Sequence, residues 1–126
     1  MAEYDYAGEH ELRINGSPIP FFTATVDSGK GGYRKRAHQT SSQVKMGRVK
    51  QTDKPVGISI DFGIFLEEAP DLRDVQGATF TFTPTEPGGK VHMIENVDYA
   101  GDGSWKYSGE DSGSSLKFEG TNDSFE

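Results

Sequence analysis

Two stretches of strict period-two alternation constrain this chain more than anything else in it. Val56-Gly-Ile58-Ser-Ile60-Asp-Phe62 sets four apolar side chains on one side, and Ala78-Thr-Phe80-Thr-Phe82-Thr-Pro84 repeats the pattern with Thr opposite. A spacing of two is the signature of a strand with one face on a core and the other in water. His10-Glu-Leu12-Arg-Ile14 reads the same way, and Asn15-Gly16 after it is a hairpin signal, because both turn positions need positive φ. Phe21 to Val26, Val91 to Val97, Ser104-Trp105-Lys-Tyr107 and Ser115-Leu116-Lys-Phe118-Glu119 complete the expected strands.

One short helix of about two turns is expected from Pro70. Proline suits the first helical position, Asp71 and Asp74 favour the positive end of the helix dipole, and Gly77 terminates it. The expected fold is mainly β: a β-sandwich or half-barrel with one short helix and a long extended loop or hairpin. At 126 residues the chain makes a single domain, and its low hydrophobic content of 33% with 16 glycines suits a thin, turn-rich one.

The extended piece is defined by charge. Ser28 to Thr52 contains seven bases (Lys30, Arg34, Lys35, Arg36, Lys45, Arg48, Lys50) and no acid, and Asp53-Lys54 closes it as a neutral pair. The other residues set five bases against nineteen acids, so a segment at +7 rides on a body at −14. Residues 28–54 hold too few apolar residues for a core of their own, so they are expected as a projecting basic loop or hairpin. Residues 120–126 are expected as a flexible acidic tail.

Chemistry of other kinds has little support. Ser28-Gly-Lys30-Gly-Gly32 fails the phosphate-loop pattern, with Ala24 where a Gly is needed and Gly31 where Ser or Thr should hold the metal. Asp98-Tyr-Ala-Gly-Asp102-Gly103 fails as a calcium loop, with Ala100 at a ligand position and Gly109 at the twelfth; Asp102-Gly103 reads as a hairpin turn. His10, His38 and His92 are scattered, there is no cysteine, and no nucleophile–base arrangement is legible. No catalytic residue, cofactor or metal site is expected. With no signal peptide pattern and no long apolar run, the chain is expected to be soluble and made in a cytoplasm.

Two readings of the basic segment compete with a merely solvated loop. It can neutralise nucleic-acid phosphates with Tyr33 stacking on a base, although the −14 body repels the same polyanion. It can join copies head to tail, its bases meeting acids on a neighbour. Apart from it, Trp105 and Tyr107 could form a ligand platform, though an alternating pair of this kind more often packs.

The order of these elements resembles the tail tube proteins of contractile-tailed bacteriophages, in particular the short Mu-type family. The resemblance is carried by Leu12-Arg-Ile-Asn15-Gly16, the long polar excursion, the short acidic helix and Val75-Gln-Gly-Ala-Thr-Phe80-Thr-Phe82. It continues through Gly88-Gly89, Val91-His-Met93-Ile-Glu-Asn96-Val97 and Ser115-Leu-Lys-Phe-Glu-Gly120. It implies a small sandwich, six copies to a ring, and rings stacked into a hollow tube. Sheath, baseplate and tape measure proteins would be its partners in a virion, with DNA passing an acidic lumen without specific binding. Under this reading the seven bases contact a neighbouring subunit, with Glu67, Glu68, Asp71, Asp74, Asp123 and Glu126 as candidate acids. The alternative is a small nucleic-acid-binding module that uses residues 28–54 as its probe.

Overall fold

The computed structural model describes residues 8–40, 43–64 and 71–126, with 38–40 as backbone alone. Ten strands run in chain order: β1 (His10–Ile14), β2 (Ser17–Ile19), β3 (Thr23–Asp27), β4 (Tyr33–Thr40), β5 (Gln43–Lys50), β6 (Val56–Gly63), β7 (Ala78–Pro84), β8 (His92–Lys106), β9 (Gly113–Gly120) and β10 (Asn122–Phe125). Eight of them form one antiparallel sheet in the order β2-β1-β7-β8-β9-β6-β3, with β10 added beside β8. The remaining pair, β4 and β5, forms a sheet of its own.

β8 joins the two halves of the body. Its first part pairs with β7 and β10, and its second part, from Asp98, pairs with β9. Phe80 on β7 and Phe118 on β9 lie on either side of β8, yet their ring centroids are 5.0 Å apart. In a flat sheet next-but-one strands stand ~9.6 Å apart, so the sheet folds over at β8 and closes on itself as a sandwich. The alternating positions meet in the fold: Leu12, Phe80, Phe82 and Ile94 from one half, and Val56, Ile58, Ile60, Phe62 and Phe118 from the other, form one buried core.

Local details follow the residue types. Asn15 and Gly16 have φ of 51° and 85°, as the tight β1–β2 turn demands. Pro18 is tolerated in β2 because β2 is an edge strand. The helix is a single 3-10 turn, Leu72–Asp74, shorter than the two turns expected, and Pro70 lies outside the described residues. Only Leu72 of its residues reaches the core, and Val75 is already extended, so nothing pulls the chain round a second turn.

Two expectations are corrected. Asp102-Gly103 is not a hairpin turn: β8 runs through it as one 15-residue strand, with register shifts around Gly101 and positive φ at Gly101 and Asp102. The turn residues are absorbed as a bulge, which bends the strand and leaves the pairing on either side intact. Residues 122–125 are not a flexible tail but strand β10, whose Phe125 ring stacks on His92 at 4.1 Å.

Candidate assembly surfaces

The basic segment begins at a neck built from its glycines. Gln51 N–H donates to the Gly32 carbonyl at 2.8 Å, Lys54 N–H donates to Gly29, and Gly31 N–H donates to Asp53 Oδ1. A Cβ on Gly29 would collide with the Lys54 carbonyl, and one on Gly31 with that of Gln51. The Ser28–Gly32 run is therefore a strand-crossing neck, where two backbones touch only because side chains are missing.

Beyond the neck β4 and β5 pair in continuous register from Tyr33↔Lys50 to Thr40↔Gln43. Eight residues a strand give a reach of ~26 Å at ~3.3 Å per residue. Residues directly opposite share a face, so the register sorts the hairpin into two surfaces. One carries Arg34, Arg36, Lys45 and Val49; the other carries Tyr33, Lys35, Arg48 and Lys50 near the neck and Ala37, Val44 and Met46 towards the tip. Val44 and Met46 are 64% and 61% exposed.

Electrostatically the hairpin is under-satisfied. Lys35 stands directly opposite Arg48, a like-charge pair that opposes pairing. Arg48 finds partial compensation over the Tyr33 ring, 5.7 Å from its centroid. Lys30, Arg34, Lys35, Arg36, Lys45, Arg48 and Lys50 are all exposed, and among the described residues none forms an ion pair within the chain. A lone two-stranded hairpin is marginal in water, and this one opposes like charges and leaves Val44 and Met46 bare. It is a surface fit for covering.

The described acids expected to answer it stand at two places, the 3-10 turn and the C-terminal strand. Asp71 caps the 3-10 turn and binds Arg73 with a 2.7 Å ion pair, and hydrogen bonds from the Arg73 side chain and backbone hold its pKa at about 2. Asp123 is taken up internally by His92 Nε2 at 2.8 Å and by the Ser28 hydroxyl at 3.2 Å, leaving its side chain 8% exposed. Asp74 and Glu126 are exposed, and Glu126 pairs through its backbone with Val91. Glu67 and Glu68 lie outside the described residues. Trp105 has the Arg73 guanidinium 5.5 Å over its ring, so one face of the indole is covered.

The sequence marked the bases but missed the apolar tip, because Ala37, Val44 and Met46 are scattered until strand pairing sets them on one face. A period-two reading of Val44-Lys-Met46 was the available signal. Among the described residues no group of three or more His, Cys, Asp or Glu is placed to hold a metal ion.

No protein-family model and no curated protein sequence matches this chain. Its fold does match solved structures. A chain in the cryo-EM structure of the anti-feeding prophage cap, the AFP tube terminating cap, superposes with a TM-score of 0.73 at 10% identity, covering 100% of this chain and 94% of that one. A chain in the sheath/tube terminator of the PVC extracellular contractile injection system, in its extended state, gives 0.72 at 12% identity, covering 100% and 99%. A chain in the PVC sheath-tube complex, also extended, gives 0.67 at 10%, covering 94% and 88%. At such identities the likeness is one of fold, and it runs nearly end to end in both partners.

Proposed function

We propose that the protein is a structural subunit of the hollow tube of a contractile phage tail or tail-like particle, a building element and not an enzyme. In this reading six copies close into a ring, rings stack into a tube inside a sheath, and DNA or other cargo passes the acidic wall without specific binding. The observation that carries it is the hairpin: a ~26 Å arm whose described cations form no ion pair within the chain and whose Val44 and Met46 are bare, on a body of opposite charge. Heterologous contacts between unlike surfaces close rings or extend as filaments. The end-to-end fold likeness to chains of tube and terminator assemblies supports the same reading.

Electron microscopy of the purified protein tests it. Rings or hollow tubes are expected, and the chain with Arg34→Glu, Lys35→Glu and Arg36→Glu should stay folded yet form neither. A monodisperse monomer that binds DNA with a steep salt slope would overturn the proposal in favour of the nucleic-acid module. A second structural reading, a tube terminator, is favoured by the higher TM-scores of the cap and terminator structures. It predicts single rings that bind tube ends and never elongate by themselves.

A further inference from the structure

β3 and β6 pair from Thr23↔Asp61 to Asp27↔Gly57. The hairpin leaves after Asp27 and returns before Val56, at one end of this ladder. At the other end, ~17 Å away along β3, lies an open groove of about 720 Å³. The end of β6, the start of β9 and the end of β8 all reach it, as the pairings Gly63↔Gly113 and Lys106↔Gly113 require. Phe22, 71% exposed, and Trp105, 41% exposed, give it an apolar floor. Asp61, Glu110 and Asp111 line it against one base, Lys106. Asp61 accepts a hydrogen bond from Thr23 at 2.8 Å, while Glu110 and Asp111 have no ion-pair partner among the described residues.

The Lys35/Met46 face of the hairpin is the complement of this groove: apolar towards its far end at Val44 and Met46, cationic nearer the neck at Lys35 and Arg48. Because the two surfaces lie at opposite ends of one ladder, and the hairpin's described side chains are exposed, no described residue of the hairpin covers the groove of its own copy. The larger groove between β3 and β10 is a poorer receptor, since Lys90, His10 and His92 face it with Glu9 as the one acid among the described residues. We infer that the Val44/Met46 face of one copy docks on the Phe22/Trp105 floor of a second copy, with Lys35 and Arg48 against Glu110 and Asp111. This inference rests on the self-assembly reading and gives it a receptor. Met46 suits such a contact because its flexible thioether fits irregular apolar surfaces.

Charge exchange tests it. Glu110→Lys with Asp111→Lys makes a chain in which the docking face of the hairpin and the groove are both basic; Lys35→Glu with Arg48→Glu makes one in which that face and the groove are both acidic, while the bases of the opposite hairpin face remain. Each alone should lose sedimenting assemblies by roughly tenfold or more, with unchanged circular dichroism. Mixed in equal amounts they should recover them, because each hairpin then meets an oppositely charged groove. Wild-type assembly by either variant alone, or no recovery on mixing, overturns the inference while leaving tube formation by the wild type intact. A second readout uses the absence of cysteine in the chain. Met46→Cys with Ser112→Cys should give a ladder of disulfide-linked oligomers under a mild oxidant, and neither substitution alone should do so. A ladder without wild-type tubes would keep the docking and sink the tube; monomer only would sink the docking.

Discussion

The carboxylate of Asp71 receives Arg73 N–H and Nε at 3.0 Å and the guanidinium NH2 at 2.7 Å, all from two residues further on. One side chain thus caps the turn and anchors the arginine that covers Trp105. The hydrogen bonds from the Arg73 side chain lower the Asp71 pKa most, followed by the backbone bond, taking it from 3.8 to about 2. A folded-state pKa below the unfolded one means stabilisation that is full above the unfolded value and is lost as pH falls through the folded one. Asp71→Ala should therefore melt below the wild type at neutral pH, and the gap should close as pH falls from 3.8 towards 2. Asp71→Asn keeps an acceptor for the turn but no charge, so its deficit at neutral pH should be smaller than that of the alanine variant and should close over the same pH range, because it is the wild type that loses its charge there. Thermal melts of the three proteins across that range check both statements; a constant gap for the alanine variant would remove the ionic part of the argument.

The strands show which parts of the fold pattern alone reveals. β1, β6, β7 and β9 were legible because one face of each is buried and the alternation survives in the sequence, as in the burial of Phe80 and Phe82 against the half-exposed Thr79, Thr81 and Thr83. β10 was not, because Asn122-Asp-Ser-Phe125 has no strand propensity of its own. It is made by its pairing with β8, the Phe125–His92 stack and the Asp123–His92 bond. The basic arm was legible as a run of charge. The groove opposite was not, because Phe22, Asp61, Trp105 and Glu110 are distant in sequence and meet only through strand register. The neck of the arm lies between these cases: Ser28–Gly32 stands out in the sequence as a glycine run that fits no phosphate loop, and the structure gives its Gly29 and Gly31 a close backbone approach. Gly29→Ala should cost ~1–3 kcal/mol of stability, because the new Cβ meets backbone that can yield only by parting the neck. Gly32→Ala, three residues on with open space around its Cα, should stay within ~0.5 kcal/mol of the wild type. Urea unfolding of the pair measures the difference, and equal midpoints would show that the neck is loose.

For the whole molecule the governing quantity is the split of charge, +7 on the arm segment against −14 elsewhere. A net charge of −7 keeps free copies apart, while the split lets two copies attract when arm meets body. Assembly of this kind responds to salt in two opposed ways. Sodium chloride at 1 M shortens the Debye length from ~8 Å to ~3 Å and weakens the arm's ionic contacts. Sulfate screens as well, but it also strengthens apolar burial by exclusion from the surface, and so favours Val44 and Met46 against their aromatic floor. Exposed pairs contribute ~0–1 kcal/mol each, so losing a few at every contact should raise the concentration needed for assembly roughly tenfold. Raising sodium chloride from 0.15 to ~1 M is expected to release copies from tubes, and ammonium sulfate at matched ionic strength to release fewer. Sedimentation in the two salts reads the outcome directly. Equal release in both would mean that charge alone joins the copies. No release in either would mean that the arm is not the element that holds the stack.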